Sequence, residues 1–310
     1  MEQKSAFITF VGRPNVGKSS LMNKILGQKI AIVSSKPQTT RTRIMGVHTI
    51  DETQFVFIDT PGFHKPRNLL GTNMIKAVDS SMADIDAVVL VVDASADFEI
   101  TADKLPPAEL ELINSFKQRK LKAILAINKI DAVPEKEKLL GLITAYSKNF
   151  DFDAVIPLSA KTGDGVKALI KELNKYAKVS PHFFADDDVT DQSEKVMVAE
   201  MIREKILRSL SKEVPHGIAV DIEKFYERDT ANGEPIVEIE AVIYCEKDSH
   251  KGIVIGKGGE MLKKIGSQSR YDIEKFFGTK ASVKLWVKVK EDWRNRQGLI
   301  HTFGLNFDNN

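Results

Sequence analysis

The sequence predicts two domains, a doubly wound α/β domain followed by a smaller α+β domain. The chain of 310 residues is long enough for two hydrophobic cores. Residues 7–176 alternate short apolar runs with longer amphipathic stretches, which is the pattern of a parallel sheet covered by helices. A proline and an acidic cluster at 181–188 then interrupt this pattern. The predicted domains are therefore 1–178 and 193–310, joined by a linker at 179–192.

Apolar runs place the strands of the first domain, and start and stop signals place its helices. We predict strands at Ala6–Val11, Gly46–Ile50, Gln54–Asp59, Ala87–Asp93, Lys122–Asn128 and Ala154–Ser159. We predict helices at Ser19–Leu26, Thr72–Met82, Pro106–Lys120, Pro134–Asn149 and Gly165–Tyr176. Because ligands of open α/β sheets bind at the carboxyl ends of the strands, functional side chains are expected just after these strands.

The chain after the linker has a different architecture. We predict a helix at Glu194–Leu210, strands at Gly217–Arg228 and Glu234–Glu246, a helix at Glu260–Phe276 and a strand at Ala281–Lys290. The turn residues of 229–233 join the first two strands as a hairpin, and the apolar residues before Gly256 form a strand-like run. These elements predict a small α+β domain. The tail after Trp293 is left unassigned.

Composition excludes several classes of protein. With 42% hydrophobic and 28% charged residues the chain is an ordinary globular protein, and it contains no apolar run of the roughly 20 residues that cross a bilayer. The amino-terminal residues show no signal-peptide organisation, so a cytoplasmic location is expected. Cys245 is the one cysteine, which excludes an internal disulfide and agrees with a reducing compartment.

The near-neutral net charge conceals a segregation. Residues 179–246 hold 7 basic and 16 acidic side chains, whereas residues 247–296 hold 13 basic and 6 acidic ones. A basic stretch within an otherwise acidic half is a candidate footprint for a polyanion. The alternative is a lysine-rich face that only contacts water.

A phosphate-binding loop follows the first strand. The residues Gly12-Arg13-Pro14-Asn15-Val16-Gly17-Lys18-Ser19 match the pattern G-x-x-x-x-G-K-[ST]. Glycines let such a loop curl so that backbone N–H groups face phosphate oxygens, while Lys18 reaches the terminal phosphates and the Ser19 hydroxyl binds Mg²⁺. The position between a strand and a helix is the context that distinguishes this loop from a chance glycine-rich turn.

Three further motifs follow later strands. Asp59-Thr60-Pro61-Gly62 places a carboxylate where it can approach Mg²⁺ through water, and the Gly62 N–H can sense a terminal phosphate. Asn128-Lys129-Ile130-Asp131 favours guanine, because an aspartate accepts two hydrogen bonds from guanine and would be left unpaired by adenine. After the last strand, Ser159-Ala160-Lys161 places a backbone amide where it can meet the guanine O6.

Four motifs in this order resemble the GTPase family of P-loop proteins, over residues 5–176. The resemblance implies that the domain binds GTP or GDP with Mg²⁺ and that Lys18 is catalytic. The residues it assigns to the nucleotide are Asn15, Val16, Gly17, Lys18, Ser19, Ser20, Asp59, Gly62, Asn128, Lys129, Asp131, Ser159, Ala160 and Lys161.

Residues 34–43 are polar and contain a proline, and they are interpreted as a mobile switch loop that orders with GTP. In relatives with a Thr-Thr-Arg element the second threonine closes on Mg²⁺, which points to Thr40 here, with Thr39 as the alternative. Arg41 and Arg43 receive no catalytic role and are expected to be solvated.

Phe63 follows Gly62 where many regulatory GTPases carry a glutamine that positions water. The resemblance therefore implies slow hydrolysis unless another group organises the site. In relatives with a Pro-Asn pair in the loop, an asparagine corresponding to Asn15 helps to hold K⁺, a catalytic role otherwise met by an arginine finger. The alternative is an asparagine that tolerates an unusual backbone angle.

A second glycine-rich loop, Gly256-Lys257-Gly258-Gly259, leads into the helix predicted at Glu260–Phe276. KH domains use a G-x-x-G loop to clamp a nucleic-acid backbone, since glycines permit a close approach of the sugar-phosphate. The cations expected to support RNA binding, beside Lys257, are Lys251, Lys263, Lys264 and Arg270. The alternative is a simple turn that precedes a helix.

A P-loop GTPase domain followed by a KH-like domain of type II resembles the Era family of bacterial ribosome-assembly GTPases, over nearly all of residues 5–292. The resemblance implies a monomeric GTP-hydrolysing switch that binds the 3′ region of small-subunit (16S) ribosomal RNA and acts in assembly of the 30S subunit. It also allows a peripheral association with the cell membrane. Two rival functions remain: an RNA-binding module that only holds its nucleotide, and a signalling GTPase whose basic stretch binds anionic lipid.

Overall fold

The structure is a computed structural model of the chain, and it describes residues 2–63, 65–96, 104–210 and 214–305. It consists of two compact units. The first contains residues up to 31, 40–66 and 72–191, and the second contains residues 32–39, 67–71 and those from 192 onward. The chain therefore enters the second unit twice, each time for a short segment, before it continues into that unit at Gln192.

A mostly parallel sheet forms the centre of the first unit. Its strands are β1 Lys4–Val11, β2 Ile44–Ile50, β3 Thr53–Asp59, β4 Ala87–Asp93, β5 Ala123–Asn128, β6 Ala154–Pro157 and β7 Lys178–Val179. The order is β2-β3-β1-β4-β5-β6, with β2 antiparallel to β3 and β7 antiparallel to β1. Strand β4 is almost entirely buried, because a central parallel strand is covered on both faces.

Helices surround this sheet. They are α1 Lys18–Leu26, α2 Leu69–Ser80, α3 Pro107–Arg119, α4 Lys136–Ser147 and α5 Val166–Leu173, and the first turn of α2 lies in the segment 67–71 of the second unit. Leu90, Phe116 and Tyr146 are among the fully buried side chains of the core. Strands β1–β6 and helices α1–α5 match the predicted ones to within a few residues, whereas β7 was not predicted.

The segment predicted as a linker is bonded to the first unit. The Gln54 side chain is buried and accepts hydrogen bonds from the N–H groups of Phe183 and Phe184 at 2.8 and 3.0 Å. Farther along, the Val47 N–H donates to the Val189 carbonyl oxygen at 3.0 Å. The predicted linker at 179–192 is therefore ordered against the sheet almost to its end.

The second unit contains a three-stranded sheet and helices. Its elements are α6 Glu194–Ser209, β8 Ala219–Asp229, β9 Pro235–Cys245, α7 Asp248–Ile255, α8 Glu260–Phe277, β10 Lys280–Val289 and α9 Gln297–Thr302. The strand order is β10-β9-β8, with β10 parallel and β8 antiparallel to β9. Ile239 and Ile273 lie in its core.

One predicted element is wrong. The apolar run before Gly256 is the helix α7 rather than a strand, so the G-x-x-G loop joins two helices. The run is only three residues long and amphipathic, with Val254 buried and Ile253 exposed, and at that length periodicity does not separate strand from helix.

The tail after Trp293 packs against the second unit. Trp293 is fully buried and donates its indole N–H to the Gly217 carbonyl oxygen at 2.9 Å. The Phe303 ring contacts Trp293 edge to face and Tyr244 in a tilted arrangement, with ring centroids 5.4 and 4.8 Å apart. Phe307 lies outside the described residues. Among the residues that are described, none of the helices combines the length and hydrophobicity needed to span a bilayer.

Candidate functional site

The predicted phosphate-binding loop connects β1 to α1 at the carboxyl edge of the sheet. Gly12 and Gly17 have φ angles of 149° and 100°, which favour glycine. A Cβ atom on Gly12 would lie 2.3 Å from the Val91 carbonyl oxygen, and one on Gly17 would lie 2.2 Å from Asn128 Nδ2. The loop is therefore packed so closely that only glycine fits at these two positions.

Lys18 lies beneath this loop with only 5% of its surface exposed. Its Nζ donates to the carbonyl oxygens of Gly12 and Arg13 at 3.0 and 3.1 Å. Burial lowers the pKa of Lys18 to about 8, and the charge of Asp59 opposes this shift. A buried ammonium group on a helix amino terminus is a ready counter-charge for phosphate oxygens.

Three oxygen-bearing side chains converge beside Lys18. Ser19 Oγ lies 2.6 Å from Asp59 Oδ2, and Thr40 Oγ1 lies 2.9 Å from Ser19 Oγ and 3.2 Å from Asp59 Oδ2. Asp59 is fully buried, and desolvation raises the pKa of its carboxyl group, while Lys18 and the two hydroxyls oppose this effect. The structure therefore places Thr40, rather than Thr39, with Ser19 and Asp59.

This cluster fits the Mg²⁺ that the sequence predicts. Asp59 Oδ1 is buried and accepts no hydrogen bond from any residue that the structure describes. An unsatisfied buried carboxylate oxygen is costly unless a cation or water completes it. Hydroxyl and carboxylate oxygens are also the ligands that Mg²⁺ prefers, so Ser19, Thr40 and Asp59 could hold the ion directly or through water.

Asn128 joins two of the predicted motifs. Its Nδ2 donates to the Val16 carbonyl oxygen at 2.8 Å, and its Oδ1 accepts from the Ala160 N–H at 2.9 Å. Of the backbone amides of 159–161 predicted to meet guanine O6, the Ala160 N–H is therefore engaged by Asn128, whereas the Lys161 N–H has no acceptor among the described residues. Asn128 acts as a brace between the phosphate loop and residues 159–161.

Asp131 lies at the open end of the site. Its Oδ1 accepts from the Ser159 hydroxyl at 2.7 Å, and its Oδ2 lies 3.7 Å from Lys161 Nζ. The Ser159 hydrogen bond in particular holds the pKa of the Asp131 carboxyl group below its usual value. Its neighbour Lys129 is paired with Asp93 at 2.5 Å. Asp131 is thus an ionised acceptor, as recognition of guanine N1–H and its amino group requires.

The segment after Asp59 lies against the phosphate loop. A Cβ atom on Gly62 would lie 2.6 Å from Pro14 Cα, and the Phe63 N–H donates to the Gly12 carbonyl oxygen at 3.0 Å. The Phe63 ring packs against the hydrophobic core. The hydrophobic residue in this position therefore serves packing, and it brings no polar group to the phosphate loop.

The sequence analysis missed a buried network that holds the phosphate loop. Arg13 Nε donates to Glu109 Oε1 at 2.7 Å, and the Tyr146 hydroxyl donates to Glu109 Oε2. Glu109 is fully buried, and burial with the charge of Glu109 raises the pKa of Tyr146. No sequence pattern marked Glu109, since an acid in the first turn of a helix is usually solvated.

The structure also shows the surroundings of Arg41 in the switch loop and of Asn15 and Ser20 in and beside the phosphate loop. Arg41 was expected to be solvated, but it is 2% exposed, because the switch loop is folded rather than extended into water. Asn15 is exposed and adopts a left-handed φ of 65°, the backbone angle of the alternative interpretation. Ser20 is half-buried in the first turn of α1.

The second predicted site is the loop between α7 and α8. Gly256, Gly258 and Gly259 all have left-handed φ angles of 59–82°. A Cβ atom on Gly258 or Gly259 would meet nothing within 4 Å, so these two glycines leave the backbone open to a ligand. Lys257, between Gly256 and Gly258, is exposed.

Exposed cations surround this loop. Lys257, Lys263 and Lys264 are exposed, and none of them has an acidic partner among the described residues, whereas Arg270 lies 3.7 Å from Glu274. Lys251 is half-buried. Among the apolar residues beside the loop, Ile253 is 48% exposed, while Val254 and Ile265 are fully buried in the core. The basic charge of the sequence is thus displayed around an open loop.

Both units of the chain contain segments that match known domain families. Residues 7–129 match a family described as 50S ribosome-binding GTPase, and residues 213–294 match the KH domain family. The chain is 48% identical to GTPase Era of Clostridioides difficile over 98% of this chain and 99% of that one. It is also 48% identical to GTPase Era of Ruminiclostridium cellulolyticum over the whole of both chains. The chain belongs to the Era family of GTPases.

Solved Era structures share the fold. A variant of Aquifex aeolicus Era bound to GDP·AlF₄⁻ matches with a TM-score of 0.90 and 33% identity, covering 98% of this chain and 99% of the other. Era in complex with MgGDPNP and nucleotides 1506–1542 of 16S ribosomal RNA matches with the same score, identity and coverage. This Era-family chain is therefore a GTPase with a P-loop domain and a carboxyl-terminal KH domain, as predicted.

Proposed function

We propose that this GTPase is a molecular switch that binds the 3′ region of small-subunit ribosomal RNA through its KH domain and acts in assembly of the 30S subunit. The path of the switch loop carries the proposal. Thr40 lies in the first unit with Ser19 and Asp59, whereas residues 32–39, which precede it directly, lie in the second unit. A change at Thr40 is therefore passed along the chain into the unit that contains the KH domain.

In the nucleotide site, Lys18 would neutralise charge on the terminal phosphates, and Ser19, Thr40 and Asp59 would hold Mg²⁺, Asp59 through water. Mg²⁺, when bound, supplies further charge neutralisation for phosphoryl transfer. Asn15 extends from the loop on the exposed side, where it can help to hold K⁺. Closure of the loop 34–43 around GTP and its release with GDP form the switch.

Base specificity resides at the other end of the site. Asp131 accepts hydrogen bonds from guanine, the Lys161 N–H meets the guanine O6, and Asn128 braces both neighbouring loops. Lys129 contributes its stem beside the base, since its ammonium group is paired with Asp93. A site of this kind rejects adenine because adenine offers no N1–H or 2-amino group and leaves the Asp131 carboxylate without its hydrogen bonds.

RNA binding is assigned to the loop 256–259 and the cations around it. KH loops clamp about four nucleotides of backbone, and close approach is possible because no side chain fills the space above Gly258 and Gly259. Lys251, Lys257, Lys263, Lys264 and Arg270 provide the positive charge. The relative whose structure contains a 16S ribosomal RNA segment supports the identity of the RNA.

The location and the assembly state follow the same interpretation. We propose that the chain works as a monomer in the cytoplasm, where its ribosomal RNA target would be found. A peripheral association with the membrane would use the same exposed lysines, which attract anionic lipid as well as RNA.

The test is RNA binding at fixed salt, measured with GDPNP, with GDP and without nucleotide. The RNA probe is the 3′-terminal segment of small-subunit ribosomal RNA, and vesicles that contain anionic lipid form a parallel arm. We expect the RNA to bind several-fold more tightly with GDPNP than with GDP. Equal binding in all three states would refute the switch, and binding to vesicles alone would favour the signalling alternative.

A comparison of phosphate release in potassium and in sodium separates a switch from a nucleotide holder. We expect measurable turnover that is faster in potassium. Background turnover in both salts would contradict the proposed switch, since a protein that does not hydrolyse GTP cannot return to its GDP-bound state.

A further inference from the structure

Within the second unit, Arg203 of α6 binds the end of the switch segment 32–39. Its Nη2 donates to the Thr39 carbonyl oxygen, and its Nη1 lies 3.5 Å from the Gln38 carbonyl oxygen. Both acceptors belong to the main chain, so the contact does not depend on which side chains the segment carries. A guanidinium group suits this task because its donors diverge in one plane.

Two more residues of α6 hold the start of the same segment. Glu204 Oε1 accepts from the Val33 N–H at 3.0 Å, and Arg208 donates to the Val33 carbonyl oxygen at 2.9 and 3.1 Å. Glu204 and Arg208 also pair with each other at 3.0 Å. Helix α6 therefore grips the segment at both of its ends, and at both ends through the backbone.

This contact is built rather than incidental. The side chain of Arg203 is 3% exposed and that of Glu204 is fully buried. Glu200 fixes the guanidinium group of Arg203 through hydrogen bonds of 2.7 and 2.6 Å. Charged groups are this deeply buried only where their partners compensate for the lost hydration, and here the backbone of the switch segment is one of those partners.

Thr39 and Thr40 are adjacent, yet their contacts serve different purposes. The Thr39 carbonyl is held by Arg203, and the Thr40 hydroxyl reaches Ser19 and Asp59. The Thr39 carbonyl carbon is bonded to the Thr40 nitrogen, so Arg203 fixes the peptide plane from which the Thr40 side chain reaches Ser19 and Asp59. The hydrogen bond from Arg203 is thus present together with the Thr40 contacts that the proposed function assigns to the GTP-bound loop.

We propose that Arg203 is a positioning residue for the GTP-bound switch. It holds the main chain of residues 38 and 39 in the place from which Thr40 reaches Ser19 and Asp59. The consequence for nucleotide binding stands on this geometry alone. Its consequence for RNA rests on the proposed function, because α6 belongs to the unit that carries the KH domain.

The first test measures affinity for Mg·GDPNP and for Mg·GDP without RNA, by calorimetry on the full chain. In Arg203→Gln we expect GDPNP to bind about tenfold more weakly, which corresponds to one hydrogen bond to a charged group, with GDP affinity unchanged within about twofold. The matched control is Lys195→Gln, which removes one positive charge from an exposed position of the same helix and should change neither affinity.

Arg203→Lys guards against a folding defect. Lysine keeps the charge but offers no planar fork, so we expect it to restore part of the GDPNP affinity. The proposal is overturned if the ratio of GDPNP to GDP affinity is the same in Arg203→Gln as in the wild-type chain, whether neither affinity changes or both fall equally. If Arg203→Gln does not fold, the same criteria apply to Arg203→Lys, for which a loss of about threefold is expected.

The second test adds the 3′-terminal ribosomal RNA segment. We expect Arg203→Gln to reduce the preference of RNA for the GDPNP state over the GDP state. By reciprocity, RNA should then raise the ratio of GDPNP to GDP affinity of this variant by that same, smaller factor. RNA affinity without nucleotide should be that of the wild-type chain. If the wild-type chain binds no RNA, the proposed function fails while the nucleotide test still decides the role of Arg203.

Discussion

The two glycine-rich loops of this protein are built in opposite ways. In the loop 12–19 every glycine is in contact with its surroundings, and Lys18 is buried beneath the backbone. In the loop 256–259, Gly258 and Gly259 face open space and Lys257 is exposed. The first loop is preorganised for one small anion in one orientation. The second loop offers an open backbone and an exposed positive charge, which suits contact with the phosphate backbone of a polymer.

A pair of glycine substitutions should show this difference most strongly. In Gly12→Ala the new Cβ would lie 2.3 Å from a backbone oxygen, so we expect a loss of about 3 kcal/mol in unfolding free energy together with GTP binding. Gly258→Ala meets no neighbour, and only its left-handed angle costs about 1 kcal/mol. Urea titrations of the two variants measure both values. Equal losses would contradict the contrast between a packed loop and an open one.

Substitution of Asp131, the carboxylate proposed to bind guanine, should affect nucleotide binding rather than folding. In Asp131→Asn we expect GTP affinity to fall roughly a thousandfold, because two hydrogen bonds to a carboxylate are lost. The amide should instead accept xanthosine triphosphate, whose C2 oxygen takes a hydrogen bond from the asparagine nitrogen. Calorimetry with both nucleotides tests this. An equal loss for the two triphosphates would mean that Asp131 does not face the base.

Removal of charge from the open loop should have a graded effect. In Lys257→Gln we expect RNA to bind a few-fold more weakly and the slope of log affinity against log salt to fall by about 0.7, the value for one phosphate contact on a single strand. GTP affinity should not change. Lys195→Gln serves as the control for loss of one exposed lysine. An unaltered salt slope in Lys257→Gln would remove this lysine from the RNA contact.

The smallest effect concerns the segment bonded to the first sheet. His182 binds the Glu52 carbonyl oxygen at 3.1 Å and Asp186 at 2.6 Å, and these contacts raise the pKa of His182 above its ordinary value of 6.5. Its stabilising contribution is therefore complete below that ordinary value and is lost as the pH rises through the higher pKa of the folded state. His182→Gln should lower the unfolding free energy at pH 5.5 but hardly at pH 8.5, as urea titrations would show. A difference that did not depend on pH would exclude titration of His182.

Local sequence determined most of the fold and the nucleotide motifs. The strands of the parallel sheet are short, almost uniformly apolar runs, as expected of strands that are buried on both faces. The motif residues follow these strands in a fixed order. The short run before Gly256 was the exception, since an amphipathic segment of that length satisfies either period.

The sequence by itself therefore determined which chemical groups this protein carries: a phosphate-binding loop motif, a carboxylate predicted to bind guanine and a basic glycine-rich loop predicted to bind RNA. Tertiary structure alone decided how those parts are held. The burial of Glu109 beside Arg13, the brace formed by Asn128 and the contact of Arg203 with Thr39 join residues that are far apart in the chain. Such contacts leave no local pattern, because a charged residue on a helix looks the same in sequence whether it faces water or a buried partner.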